Sequence, residues 1–168
     1  KRATEIALHA GNPYAAEQAA TIWIELEPDS ADARQTIAAL LINLGKLDAA
    51  KPHLEKLLSS EKDNVGGAFM QLNQLLSRNP NKVEALQLIQ QLSQPYKDFP
   101  EVHFATSQAA WFANQHQLAL DEMQRALALR PDWEIAAIHN GRILQRTSNA
   151  EASDYYRDYL KKYPAANE

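Results

Sequence analysis

Five histidines, 21 aspartates and glutamates, and no cysteine are the side chains with which this chain of 168 residues could do covalent or metal chemistry. Without cysteine there are no disulfides, thiolate zinc sites or thiol nucleophile, and the redox compartment stays open. His9, His53, His103, His116 and His139 show neither an H-E-x-x-H pattern nor any other metal-ligand spacing. His103 and His139 would meet only across neighbouring helices, and no metal is expected there. No glycine-rich phosphate loop and no G-x-S-x-G elbow occurs. Asp121, Glu122 and Asp154 fall on outward helical positions and are expected to be solvating charges. Tyr155, Tyr156, Tyr159 and Tyr163 have helical spacing, with Tyr156 and Tyr159 expected in the core and Tyr155 and Tyr163 over the C-terminal edge. No cofactor is required by any of these patterns, and no catalysis is expected. Non-covalent recognition remains. Its candidates are Gln35, Gln71, Gln74 and Gln108, the apolar Met70, Phe104 and Trp111, and the cations Arg78, Arg142 and Arg146.

The elements that must position them follow from composition and spacing. Hydrophobic residues make up 45% of the chain and charged residues 23%, enough apolar content to bury a core. A formal net charge of -4 argues against a nucleic-acid partner, which needs clustered Lys and Arg to displace counterions. The longest nearly unbroken apolar run, Ile37 to Leu44, is interrupted by Asn43 and is too short to insert directly into a membrane.

One small residue recurs at Ala16, Ala50, Ala85, Ala119 and Ala152, with steps of 34, 35, 34 and 33. Twelve residues after the first, fourth and fifth stand Pro28, Pro131 and Pro164, in phase with it and placed to stop a helix. Gly11 and Gly45 lie five residues before the alanine, where two antiparallel helices need a residue tolerant of left-handed backbone. Asn114 fills that slot in the fourth copy, and Asn79-Pro80-Asn81 marks the third turn by other means. Pro95 and Pro100 bracket a slightly extended loop after the third copy. Within each copy the apolar spacing is helical, as in Ile37, Ala38, Leu41 and Leu44, followed by Leu47, Ala50, Leu54, Leu57 and Leu58. Each copy is thus a helix–turn–helix pair that buries its faces only by stacking on its neighbours.

The period and these slots resemble the tetratricopeptide repeat (TPR) family over the whole chain. Copy four keeps Ala119, Ala126 and Pro131, and copy five keeps Gly141, Leu144, Ala152, Tyr156 and Pro164. Copy two keeps Gly45 and Ala50 but has Lys62 in the proline slot, before Asp63-Asn64-Val65-Gly66-Gly67. Copy one has Trp23 in the second small-residue slot, which should widen the local helix spacing. The resemblance implies an all-α fold, a right-handed α-solenoid of about five units near 1–30, 31–65, 66–99, 100–133 and 134–168. By this phase the chain begins inside a helix and ends without a polar cap, as expected of a piece of a longer array.

In TPR arrays the face of the first helix turned away from the core lines a concave groove for peptides. That face would carry Gln35, Ile42 and Asn43 in copy two, and Met70, Gln74 and Arg78 in copy three, with Gln71 at its edge. In copies four and five it would carry Phe104, Gln108 and Trp111, then Arg142 and Arg146. Glutamine amides would pair with peptide backbone. Trp111 or Phe104 would supply a hot spot of about 2 kcal/mol or more. The arginines would hold carboxylates. The competing reading has Phe104 and Trp111 packing between neighbouring helices and the glutamines forming a solvated face. The clamp by which some TPR domains hold the acidic tails of heat-shock proteins is not expected, because its slots hold Gln35, Ala39, Gln71 and Glu101.

A narrower resemblance lies in Arg2-Ala3-Thr4, Ile6-Ala7-Leu8, Trp23-Ile24-Glu25-Leu26-Glu27-Pro28, His53-Leu54 and Leu129-Arg130-Pro131-Asp132-Trp133. These are similar to a group of proteobacterial TPR lipoproteins that includes the adaptor of a periplasmic carboxyl-terminal processing protease. The resemblance implies a non-catalytic scaffold for a protein or peptide partner, on the periplasmic side of the bacterial outer membrane. The alternative is a structural assembly module of a pilus or secretion machine, acting through repeat stacking or self-association. The sequence assigns no oligomeric state.

Overall fold

A computed structural model describes residues 1–61 and 64–164. Lys62 and Asp63, one of which fills the second proline slot, lie outside the described residues. The described residues form ten α-helices and one 3-10 turn. In chain order they are α1 (Arg2–His9), α2 (Pro13–Leu26), α3 (Ala31–Asn43), α4 (Leu47–Ser60), α5 (Val65–Leu76), α6 (Lys82–Ser93), α7 (Pro100–Phe112), α8 (His116–Leu129), α9 (Glu134–Gln145) and α10 (Asn149–Lys162). The 3-10 turn, Gln94–Tyr96, contains Pro95, opens the loop that runs to Pro100 and lays Tyr96 edge-on against Phe69 at 5.7 Å.

Helix starts are set by short polar side chains. Asn12, Ser30, Asn81 and Ser148 each accept a hydrogen bond from the backbone N–H three residues on, satisfying a donor the helix leaves free. The turns are equally local. Gly11, Gly45 and Asn114 have φ of 66°, 72° and 60°, as their shared slot predicts. Each is followed by the same closure, in which Asn12, Lys46 and Gln115 donate to the carbonyls of Ala7, Leu41 and Ala110. An alanine built at Gly45 meets nothing within 4 Å, so Gly45→Ala carries only backbone strain. It is expected to cost about 1–2 kcal/mol in urea unfolding. Asn114→Gly is expected to be neutral or slightly stabilising. A Gly45→Ala chain as stable as the parent would count against the left-handed turn.

The third turn is built from side chains. Asn79, 4% exposed, accepts from the Asn81 N–H and donates to the Ile42 carbonyl at the end of α3. Lys82 Nζ donates to the carbonyls of Ser77 and Asn79, both at 2.6 Å.

The recurring alanines mark where paired helices touch. Ala16, Ala50 and Ala119 are fully buried, and Ala85 and Ala152 are 4% exposed. Opposite them stands a second periodic set, Thr4, Ala38, Asn73, Ser107 and Asn140, all buried and four of them polar. A polar side chain at such a contact must be hydrogen-bonded within the fold or cost free energy. Ser107 Oγ donates to the Ala119 carbonyl at 2.5 Å, tying α7 to α8. Asn73 instead reaches towards α7, and α5 packs chiefly on α7 while scarcely touching α4. At Gly141 an added Cβ would lie 2.1 Å from the Tyr156 ring, so glycine makes room for Tyr156, whose hydroxyl donates to the Ile138 carbonyl at 2.9 Å. Tyr159 is buried as expected, while Tyr155, Tyr156 and Tyr163 are half-buried. Trp23 is 7% exposed, and beside it a groove of about 450 Å³ separates α1 from α3.

Candidate functional site

Beside the α1–α3 groove, whose lining includes Gln35, Ala39 and Asn43, the face expected to meet a partner carries two further clefts. The larger, about 490 Å³, has a floor of Leu54, Leu57, Leu58, Leu72 and Leu75 and a polar border of Gln35, Gln71, Gln74 and Arg78. It exists because α5 leans away from α4, leaving leucines of both helices on its walls. Ile42, expected on the same face, is 2% exposed and belongs to the core.

The smaller cleft, about 140 Å³, lies between α7 and α9. Trp111, Phe112, Met123 and Ile143 make its apolar walls, with Gln108, His139 and Arg142 among its polar lining. The Arg146 guanidinium lies 5.4 Å from the Trp111 ring centre, a cation–π distance, and the His116 ring is 5.0 Å away. Trp111 is half-buried, so one part of it packs and another is accessible. Its packed part agrees with the competing reading, and its accessible part is surface open to a partner.

A hydrogen-bonded chain crosses three helices under this cleft. Asn73 of α5 donates to Gln108 of α7, whose amide nitrogen donates to His139 Nε2 of α9 at 3.1 Å. That bond needs a neutral imidazole carrying its proton on Nδ1. Burial, and then the charge of Arg142, push the His139 pKa below its ordinary value, which keeps the ring neutral. The spacing of 35 and 31 residues between these three would have shown that they share a face, but not that they bond.

Two expectations are corrected. Phe104 is 1% exposed, held between Trp133 at 4.9 Å and His139 at 5.1 Å, and offers no surface to a partner. Glu122 is not a solvating charge. It is 8% exposed and takes a 2.7 Å bond from His103 Nδ1 and a 2.5 Å bond from Arg125. His103 Nε2 donates to the Lys97 carbonyl at 2.8 Å, so both ring nitrogens donate and the ring is an imidazolium. The Glu122 hydrogen bond raises the His103 pKa above its ordinary value. His103 and His139 therefore serve different partners and do not form a pair. Met70 is half-buried against the core and lies apart from both clefts. Arg78, Arg142 and Arg146 form no salt bridge with any described residue.

With this geometry in place, comparison with solved structures bears on the fold. Residues 41 to the end of MamA from Desulfovibrio magneticus RS-1 superpose with a TM-score of 0.57 at 18% identity, covering 94% of this chain and 89% of that one. A crystal structure of MamA gives a TM-score of 0.58 at 14% identity, covering 96% of this chain and 88% of that one. The fold is of the TPR type. The sequence itself matches no protein-family profile and no curated protein. Identities this low carry the architecture alone, so the clefts must be interpreted from their own residues. Among the described residues no helix is long and apolar enough to cross a membrane.

Proposed function

We propose that this chain is a non-catalytic protein-interaction scaffold that takes up a segment of a partner protein along its concave face. The observation that carries this reading is the larger cleft, in which amide and guanidinium groups without a partner among the described residues, together with Glu61, border a leucine floor left part-exposed at Leu57 and Leu75. Buried apolar contact supplies affinity while amides and guanidinium fix orientation, the division of labour usual in binding sites. The two most enclosed histidine sites support a non-catalytic role, because His103 and His139 are each committed to hydrogen bonds within the fold.

Affinity capture with the 168-residue chain, followed by substitution in both clefts, tests the reading. Trp111→Ala, Arg142→Ala and the pair Gln71→Ala/Arg78→Ala are each expected to weaken a specific partner about tenfold or more. Undiminished capture by all three would move the interface off this face.

The finer reading, an adaptor of an envelope protease in the periplasm, is supported by the residue run quoted from the sequence. A second reading, an assembly module acting through its ends, has its own observation. The first helix pair exposes Ile6, Tyr14, Ile22 and Leu26 at 57–77%. Concentration-dependent self-association in sedimentation would favour it, and a strict monomer would dismiss it.

A further inference from the structure

We infer that the cleft between α7 and α9 recognises an acidic segment, inserting one apolar side chain between Trp111 and Ile143 and laying flanking carboxylates on Arg142 and Arg146. This deepens the scaffold reading and rests on it. The argument is an accounting of free hydrogen-bonding capacity. Gln108 spends one lone pair of its carbonyl oxygen on Asn73 and one N–H on His139. His139 spends its lone pair on Gln108, which leaves Nδ1–H as its only remaining polar group. Ser107 is fully buried and committed to the Ala119 carbonyl. Arg142 and Arg146 carry only donors and have no acidic partner among the described residues. No carboxylate lines the cavity. What the border still offers is mainly donors, the Arg142 and Arg146 guanidiniums among them, and a donor-rich, cationic border over an apolar cavity selects an anionic acceptor attached to an apolar group.

Size and charge narrow the class. A cavity of about 140 Å³ has room for a single aliphatic or aromatic side chain rather than a cofactor. Arg142 in the last turn of α9 and Arg146 at its C-cap are four residues apart, so they bring two cations to one side of the helix, Arg146 over the Trp111 ring. A lone chain terminus supplies one carboxylate. A run of acidic side chains supplies one for each guanidinium. The chain as a whole carries a net charge of -4, so this local donor surface stands against the overall balance and favours one class of ligand.

The test uses the whole chain, immobilised, and octapeptides randomised over aspartate, leucine, phenylalanine, serine and lysine. One library is amide-capped and the other has a free C-terminus. Amide-capped peptides that pair an apolar residue with neighbouring aspartates are expected to be retained at least tenfold over their lysine counterparts. Arg142→Gln/Arg146→Gln should abolish that preference with an unchanged thermal midpoint, because both side chains are exposed. Trp111→Ala should reduce retention of every apolar-containing peptide. Retention of neutral or basic peptides that still depends on Trp111 would overturn the acidic class while leaving the scaffold reading intact. Retention only of free-acid peptides, indifference to the double arginine change, or no retention at all would also overturn the inference. Only indifference to every cleft substitution, with a partner still captured, would remove the scaffold site as well.

Discussion

Phe104→Ala is expected to lower the unfolding free energy by about 3–5 kcal/mol, the cost of emptying a well-packed aromatic site. For a chain of this size that corresponds to a fall of roughly 10 °C in thermal midpoint. The reason is its position. From Val102 to Ser107 six consecutive residues are buried, because α7 is flanked by α5, α6 and α8 and touched by His139 of α9. Phe104 fills the contact with α9, against Trp133 and His139. Its loss should also loosen the floor on which the Gln108–His139 bond rests. Trp111→Ala makes the contrast, since a half-buried ring should lose less stability and more binding. Equal stability of Phe104→Ala and the parent chain, measured by urea titration, would place Phe104 on the surface after all.

The second large effect concerns His103. Replacing it with leucine leaves Glu122 and the Lys97 carbonyl without their buried donor, and is expected to cost about 3 kcal/mol at pH 6. The pH dependence has a definite sign. The folded chain holds the imidazole proton more tightly than the unfolded chain does. The contribution of His103 is thus complete below the free imidazole value of about 6.5, and is lost as pH rises through the higher folded value. His53 and His139 act in the opposite direction. Burial, together with Arg34 and Arg142 respectively, lowers their values, so their share of stability is lost as pH falls. The informative quantity is accordingly the difference between the parent and His103→Leu across pH. It should shrink from pH 6 to pH 9, because the other two histidines cancel. A difference that stays flat across this range would show that the ring is not charged in the fold.

The architecture was legible because it is written many times over. A buried alanine every 34 residues, with Gly11, Gly45 and Asn114 in one left-handed slot, repeats the same local physics until coincidence is excluded. Recognition residues are written once each, and were legible only in part. The helical wheel assigns Phe104 and Ile42 to the outer face because it knows one helix at a time. A helix surrounded on every side has no outer face, and α7 is nearly such a helix. Glu122 escaped for a related reason. Its partner, His103, is 19 residues away across the α7–α8 turn, at a distance no single-helix pattern describes. The Asn73–Gln108–His139 chain needed the stacking distance of three helices before any of its bonds could be seen. By contrast, the arginines and Gln35, Gln71 and Gln74 are exposed as expected, because long polar side chains at outward slots have nowhere else to go. Gln108 instead is half-buried and bonded to Asn73 and His139.

The departure of α5 from α4 has a consequence for how the molecule bears load. In a linear array each unit is coupled only to its neighbours, so compliance resides at the weakest joint and the remainder moves as blocks. Here α5 is anchored forward onto α7, so the first four helices meet the remainder mainly through α4 against α6. The larger cleft lies at the junction of the second and third units and the smaller one at that of the fourth and fifth. Both mouths thus straddle a junction between successive units, so bending of the array would change the width of each.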